Sequence, residues 1–192
     1  MPDRNQAALD FLLTRRSRPA KTLTAPGPSR AELEPILTAA LRSPDHGKLE
    51  PWRLIVIEKP AMPRLADLAE ERGRSLGKDE RDIEKGRGQF DQGVLIVAVI
   101  ESPVDSDKVP AIEQTYSAGA VCLALLNTAL ASGWGANWLT GWMAHDPEFC
   151  EKGLGLAPHE RVAGFIHIGT ETVAPPERPR PDLAAKTSWL DQ

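Results

Sequence analysis

Apolar and polar positions along the chain predict helices and strands in turn. Seven apolar residues in a row at 94–100, VLIVAVI, predict a strand covered on both faces, and VAGFIHIG at 162–169 predicts another. Shorter apolar runs predict strands at 52–58 and, with glycine breaks, at 133–138. About four strands separated by long helices indicate a mixed α/β or α+β class, with 94–100 and 162–169 at the centre.

The clearest helix signal is an apolar face behind a capping box. Ser29 and Glu32 form the box, and the face behind it repeats at i, i+3, i+4, i+7 and i+8 until Pro44 ends the helix. A second N-cap pattern, Asp3 with Gln6, predicts an N-terminal helix. Other helices are expected at 61–72, from Pro110 to about Ala131, and from Pro147 to about Lys152.

Two polar stretches interrupt this pattern. Residues 73–92 are rich in Gly, Lys, Arg, Asp and Glu, which predicts a solvated, mobile segment with a short helix at 79–85. The proline-rich stretch from about 174 to 192 predicts an extended tail without a core of its own. We therefore expect one domain over 1–192 that ends in this tail.

Composition excludes several classes of protein. The net charge of −4 and the scattered basic residues give no reason to expect nucleic acid as a partner. The most apolar long stretch, 118–131, is too short to span a bilayer, and no secretory signal opens the chain. Cys122 and Cys150 form neither a disulfide framework nor a metal-binding spacing. We expect a cytoplasmic protein with no membrane partner.

The usual catalytic motifs are missing from the sequence. There is no dinucleotide-binding glycine pattern after a strand, no P-loop and no nucleophile elbow. The four histidines do not repeat at metal-ligand spacing, so we expect no metal site. His167, within the predicted strand at 162–169, is interpreted as a packed or hydrogen-bonded residue.

One set of basic residues suggests a phosphate site. It comprises Arg15-Arg16-Ser17 after the first helix, a polar turn with Arg42, His46 and Lys48, and Arg178 and Arg180 in the tail. Guanidinium groups, a hydroxyl and backbone N–H groups suit a phosphate monoester. In the alternative, the first two arginines complement a helix C-terminus and the others are solvated. Composition alone favours this alternative.

Three motifs together resemble the flavin-dependent nitroreductases, in particular their minimal, short branch. Arg15-Arg16-Ser17 is similar to the Arg-x-Ser phosphate motif of that family. RSPDHGKLEPW at 42–52 is similar to the Arg-Ala-Pro-Asp-His…Gln-Pro-Trp turn of the minimal branch, and GWGANWLTG at 133–141 to the glycine-rich segment after the long central helix. The resemblance covers nearly the whole chain and includes the order of the motifs.

The resemblance implies an α+β homodimer with a central, mostly antiparallel sheet flanked by helices and FMN at the subunit interface. It implies that Arg15, Arg16 and Ser17 bind the phosphate and ribityl chain, while Arg42 and His46 reach the flavin of the partner subunit. The isoalloxazine would lie over Trp138, Leu139 and Thr140. A stretch associated with nicotinamide corresponds to Thr128, Ala129, Leu130, Ala131, Ser132 and Gly133.

The implied function is an FMN-dependent oxidoreductase without a catalytic side chain. Hydride would pass from NAD(P)H to flavin N5 and then to a nitroaromatic, quinone or similar acceptor by a ping-pong scheme. A non-catalytic flavin-binding or sensing protein, a specialised flavin reaction within the family and another phosphorylated ligand remain alternatives. NADH and NADPH are not distinguished by the sequence.

Two residues depart from the family pattern. Glu50 replaces the usual Gln before Pro-Trp, and we expect its side chain to point away from the flavin. Pro19 stands where many relatives have a lysine near flavin N1 and O2, so Lys21, Lys48 or Arg18 would have to provide the charge that stabilises reduced flavin.

Overall fold

Five strands form a single, wholly antiparallel sheet in the computed structural model, which describes residues 3–191. The central strands run in the order β1-β5-β3-β2, and β4 pairs with β5 on the edge that it shares with β1. Their bounds are β1 Leu23–Thr24, β2 Trp52–Ile57, β3 Leu95–Glu101, β4 Gly135–Leu139 and β5 Arg161–Glu171. The predicted α+β class and antiparallel sheet are confirmed.

β3 is covered on both faces, as its uninterrupted apolar sequence predicts. All seven of its residues are buried. Alternate side chains enter two separate clusters. Ile96, Ala98 and Ile100 pack with the helices at 62–75, 80–91 and 147–154, whereas Val97 and Val99 pack with those at 30–40 and 111–131. The sheet therefore separates two cores, and helices lie on each side of it.

Residues 3–191 form seven α-helices. Ser29 and Glu32 form the predicted capping box at the start of α2, and α5 begins directly after Pro110. The prediction for the first helix is wrong in detail, because the side chain of Asn5, not Asp3, accepts the Ala8 N–H. The bounds are α1 Gln6–Thr14, α2 Arg30–Ala40, α3 Met62–Ser75, α4 Glu80–Asp91, α5 Ala111–Ala131, α6 Pro147–Leu154 and α7 Leu183–Lys186.

The expectation of a mobile segment at 73–92 is wrong. Most of it forms α4, a 12-residue helix capped by Asp79, which accepts the Asp82 N–H at 2.8 Å. Ile83, Gly86 and Phe90 are buried at helical spacing, and Phe90 packs against two other core aromatic rings. The sparse apolar residues suffice because other elements provide the rest of the core.

Trp142 holds α4 against the rest of the molecule. Its indole Nε1 donates to the Asp82 carbonyl at 3.0 Å, and its ring occupies space that a Cβ at Gly86 would fill. The ammonium of Lys78 lies 5.1 Å from the ring centroid.

Within residues 3–191, none of the helices combines the length and hydropathy that a membrane span requires.

Candidate functional site

The segment Arg15–Arg18 leaves α1 and passes beside β4. The Arg18 N–H donates to the Ala136 carbonyl at 2.8 Å, which fixes the segment against the sheet. The guanidinium of Arg15 donates to Ser17 Oγ at 3.2 Å, whereas its Nε is buried and has no partner. A buried guanidinium donor without an acceptor indicates a place where an anionic ligand would be stabilised.

Like charges surround Arg15. Burial lowers the pKa of Arg15, and the neighbouring charges of Arg16, Arg180 and Arg18 lower it further. Arg180 comes from the C-terminal tail, which returns to this segment where Arg16 donates to the Pro176 carbonyl at 2.7 Å.

Carboxylates compensate this charge only in part. Arg18 pairs with Glu171 at 2.6 Å, and Glu177 lies 3.6 Å from Arg16 and 3.3 Å from Arg180. Four arginines therefore share two carboxylates, and the Arg15 side chain has no ion pair with either. The arrangement fits a phosphate monoester, whose oxygens accept bidentate hydrogen bonds from guanidinium groups.

A cleft of about 710 Å³ begins at Pro19, the residue after Arg18. Its volume lies in the range of small-molecule sites in proteins. The turn after Arg18 forms one wall, α4 forms the other, and β4 and β5 form the floor. The lining residues are Pro19, Ala20 and Lys21 on the turn, Arg81, Glu84, Lys85, Gly88, Gln89 and Gln92 on α4, and Asn137, Leu139 and His167 on the floor.

The deep part of this cleft contains polar atoms without partners. His167 is 3% exposed and stands directly opposite Asn137 in the β4–β5 register. Its Nε2 has no hydrogen-bond partner, nor does the buried Oε1 of Gln89. Burial lowers the pKa of His167 to about 4, so the imidazole is neutral at pH 7. The cleft therefore fits a ligand that combines a ring-sized body with hydrogen-bonding groups along one edge.

Strand alternation separates the two strand residues predicted to lie at the flavin. Leu139 lines the cleft, whereas Trp138 points to the opposite face of the sheet. There the indole Nε1 of Trp138 donates to the Ala163 carbonyl at 3.3 Å, and the ring lies over Gly164, which has no side chain to block it. Thr140 follows the strand and is half-buried. Only the backbone of Trp138 can therefore face a ligand in this cleft.

The turn at 42–52 is organised by Asp45. Its carboxylate accepts the Leu49 N–H at 3.2 Å and the Glu50 N–H at 2.9 Å. Gly47, Lys48 and Glu50 all have left-handed backbone conformations, with φ of 77°, 55° and 48°. Positive φ at two residues other than glycine stores strain, which is common in segments that carry function.

This turn is attached to α5, away from the arginine cluster. Ser117 Oγ donates to the Pro44 carbonyl at 2.7 Å and accepts from Trp52 Nε1 at 3.0 Å. His46 Nδ1 lies 2.7 Å from a carboxylate oxygen of Glu113. Arg42, His46 and Glu50 are exposed, and none of them lines the cleft. Within one chain, the structure does not bring Arg42 and His46 to Arg15–Ser17.

The residues associated with nicotinamide, 128–133, form the end of α5 and the turn after it. Thr128 Oγ1 donates to the Ala124 carbonyl at 2.8 Å, and Trp134 N–H donates to the Ala129 carbonyl at 3.1 Å. Gly133 provides the left-handed turn, with φ of 86°. These hydrogen bonds serve the helix end, and none of the six residues lines the cleft. A role in nicotinamide binding stays a prediction.

A second cleft, of about 640 Å³, lies where α5, α6 and β5 meet. Its two carboxylates nearest the sheet have partners: Glu101 accepts from Thr115 and Arg161, at 2.6 and 2.8 Å, and Glu160 accepts from Arg53. The paired guanidinium holds the pKa of Glu160 down to about 2. The cleft beside Arg15–Arg18 is therefore the better candidate site, because its buried polar atoms still lack partners.

The family described as "Nitroreductase family" matches residues 12–170, which include the arginine segment, the turn at 42–52 and all five strands except the last residue of β5. This chain belongs to the nitroreductase family. Among residues 3–191 of this family member, no group of three or more His, Cys, Asp or Glu side chains could hold a metal ion.

Individual relatives agree with the family assignment. The Escherichia coli (strain K12) protein named "Putative NAD(P)H nitroreductase YdjA" is 33% identical over 181 residues, covering 94% of this chain and 92% of the relative. A nitroreductase-like family protein from Bacillus cereus has the same fold, with a TM-score of 0.80 at 22% identity and full coverage of both chains. An FMN-dependent nitroreductase from Clostridium difficile R20291 aligns with a TM-score of 0.68 at 20% identity, covering 96% and 99% of the two chains.

Several residues of the cleft were not singled out as ligands by the sequence. Gln89 lies in the stretch predicted to be mobile, and Asn137 lies within the glycine-rich motif without a role of its own. His167 was interpreted as a packed residue. One signal was available, since a lone histidine in a strand between Ile166 and Ile168 requires a polar partner once it is buried.

Proposed function

We propose that this nitroreductase family member is an FMN-dependent oxidoreductase that uses NAD(P)H. One observation carries the proposal: a partly buried arginine cluster, in which Arg15 Nε has no partner, precedes the turn that forms one wall of a cleft of ring-binding size. Arg15, Arg16 and Ser17 would bind the FMN phosphate, and the ring would lie in the cleft beside Leu139 and Thr140. When bound, FMN supplies the acceptance and donation of hydride, which no side chain of a protein provides.

The chain's own residues would bind, orient and balance charge. Among the three candidates for stabilising reduced flavin, Lys21 lines the cleft, whereas Lys48 lies in the turn on α5 and Arg18 is paired with Glu171. Lys85 adds a second ammonium group on the opposite wall. Lys21 is therefore the group we assign to this role, because a cation beside the ring would favour a developing negative charge.

Donor and acceptor would use the same open side of the cleft in turn. That arrangement corresponds to a ping-pong scheme, in which NAD(P)H binds and leaves before a nitroaromatic, a quinone or a similar acceptor enters. It also explains why no side chain with the geometry of a nucleophile or general base is required.

A homodimer would complete the site. The described part of α1 buries none of its residues, and Leu12 and Leu13 are 56% and 62% exposed. The long helix α5 also exposes Ile112, Tyr116 and Leu123. Exposed apolar surfaces of this kind mark interaction sites. We propose that a partner subunit covers them and brings its own Arg42 and His46 to the FMN.

Flavin binding tests the proposal directly. Purified protein should be yellow, with an absorbance band near roughly 450 nm from oxidised flavin. Arg15→Ala should weaken FMN binding at least about tenfold, because a charge-assisted hydrogen bond is lost and Arg15 faces the phosphate. Riboflavin, which lacks the phosphate, should bind both proteins alike. Arg30→Ala, at an exposed ion pair on α2, is the matched control.

Two outcomes would contradict this assignment. The first is protein that binds no added FMN, and the second is an Arg15→Ala variant that weakens FMN and riboflavin equally. Turnover is then measured as NAD(P)H oxidation with a nitroaromatic or quinone acceptor. Binding of FMN without turnover would instead identify a flavin-binding or sensing protein.

A further inference from the structure

Two residues that line the cleft each have a buried polar atom that neither the phosphate site nor the charged rim uses. These are Nε2 of His167 and Oε1 of Gln89, and both lack a hydrogen-bond partner. Both residues line the same cleft, His167 from the floor and Gln89 from α4. Because an unpaired buried polar atom is costly and rare in a folded protein, two of them in one cleft require an explanation.

The framework holds both side chains in place. His167 lies in β5, where it pairs with Ile96 of β3 on one side and with Asn137 of β4 on the other. Gln89 packs against the bare backbone of Gly141, where an added Cβ would approach its Nε2 to 2.5 Å. Neither side chain can therefore turn to solvent without displacing its neighbours, and both are oriented before a ligand arrives.

The chemistry of the pair suits one edge of a planar heterocycle. A neutral imidazole nitrogen donates or accepts according to its tautomer, and an amide oxygen accepts. The flavin ring has N–H, carbonyl and bare nitrogen groups along a single edge. We propose that His167 and Gln89 are specificity-determining residues that hydrogen-bond this heteroatom-bearing edge of the FMN ring. The inference rests on the proposed function, since it requires the ring to occupy this cleft.

The charges around the cleft agree with this orientation. Lys21, Arg81 and Lys85 line it together with a single carboxylate, Glu84. The resulting positive field favours the carbonyl-bearing edge of the ring over its hydrocarbon edge. The floor residue Leu139 provides an apolar surface for the face of the ring.

The binding test compares two flavin ligands and several variants. FMN is compared with lumichrome, an alloxazine that keeps the N3–H and the two carbonyl groups of the flavin edge but lacks the ribityl chain and the phosphate. Both ligands are titrated by fluorescence quenching. His167→Phe and Gln89→Leu, which keep size but remove the polar atom, should each weaken both ligands by roughly tenfold, because the ring atom is left unpaired. His167→Gln, which can still hydrogen-bond, should recover part of the loss. The exposed His159, changed to Phe, is the matched control.

A second measurement needs no variant. The ¹⁵N chemical shift of His167 Nε2 in wild-type protein should change when FMN or lumichrome is added. It should not change when inorganic phosphate alone occupies the arginine cluster.

The outcomes separate this inference from the proposed function. Wild-type protein that binds neither FMN nor lumichrome overturns both. If wild-type protein binds both ligands, unchanged affinity in His167→Phe and Gln89→Leu overturns only the inference, as does an unchanged Nε2 shift. Weakened binding of both ligands, with phosphate binding intact, supports it.

Discussion

At the scale of single residues, His167 shows how a packed residue can also be a ligand candidate. The sequence interpretation as a packed histidine describes its burial correctly, since it is 3% exposed in a central strand. Packing did not supply a partner for its Nε2, however. Burial removes the imidazole from water, which disfavours its charged form and lowers its pKa. The nitrogen is therefore available to a ligand in the cleft.

The buried imidazole makes stability depend on pH in a defined window. Its folded-state pKa of about 4 lies below its ordinary value of 6.5. Between these values the unfolded chain binds more protons, so the free energy of unfolding is undiminished above pH 6.5 and falls as the pH drops towards 4. The loss from this group should reach about 3 kcal/mol at most.

Urea denaturation of ligand-free protein at several pH values measures this effect. His167→Phe should remove the loss between pH 6.5 and 4. The Glu160 carboxylate has a pKa lowered from 4.5 to about 2, so its contribution to the free energy of unfolding is lost only below pH 4.5. That loss should be the same in wild type and in His167→Phe. A His167→Phe variant with the same slope as wild type above pH 4.5 would contradict the assignment.

At the scale of elements, prediction from sequence succeeded where local signals sufficed. β3 is buried and almost wholly apolar, α5 begins after Pro110, and α2 begins with a complete capping box. Each of these elements can therefore be predicted without knowing its distant contacts. The sequence did not predict α4 as a full helix, because its residues are mostly charged. Its burial depends on Trp142, Phe149 and Phe165, which lie far along the chain. β1, with two residues, is too short for any periodicity.

The candidate site also has one part that local sequence predicts and one part that it does not. The Arg15–Ser17 motif is contiguous, so its resemblance to a phosphate motif is visible in the sequence. The cleft is assembled from the turn after Arg18, α4, β4 and β5, which only the fold brings together. The missed helix α4 thus accounts for the missed ligand candidate Gln89.

The Asp45 side chain is predicted to stabilise the whole turn at 42–52. Asp45→Ala removes the acceptor for two backbone N–H groups in a turn with three left-handed residues, so it should destabilise the protein by about 1–3 kcal/mol. Asp45→Asn keeps one carbonyl acceptor and should lose less. Urea denaturation measures both, and hydrogen exchange at the Leu49 and Glu50 amides should accelerate locally. Unchanged exchange at these amides in Asp45→Ala would show that the carboxylate does not hold the turn.

At the scale of the whole molecule, the predicted flavin ligands fall into two separate groups. Arg15, Arg16 and Ser17 adjoin the cleft, whereas Arg42 and His46 are exposed on a turn attached to α5. A strained turn that presents exposed basic side chains has no evident use within its own chain. The proposed two-fold dimer would provide one, because each interface residue would then contact the partner's surface and the site would occur twice.

Mixing two defective variants tests this composite site. Arg15→Ala should impair the phosphate half of the site and His46→Ala the half contributed across the interface, so each homodimer should bind FMN weakly at limiting concentration. In a mixed dimer, one site combines both defects and the other combines two intact halves. Random exchange of subunits should therefore restore roughly a quarter of all sites to wild-type affinity, since half of the dimers are mixed and each has one intact site.

Controls decide how this result is interpreted. Each variant put through the same exchange alone should gain no FMN binding, and native mass spectrometry should verify that mixed dimers form. If mixed dimers form and no site recovers, Arg15 and His46 serve a site within one chain or His46 serves none. Recovery near a quarter of the sites is expected only when the two residues act on the same FMN from different subunits, because a defect confined to one chain cannot be complemented by its neighbour.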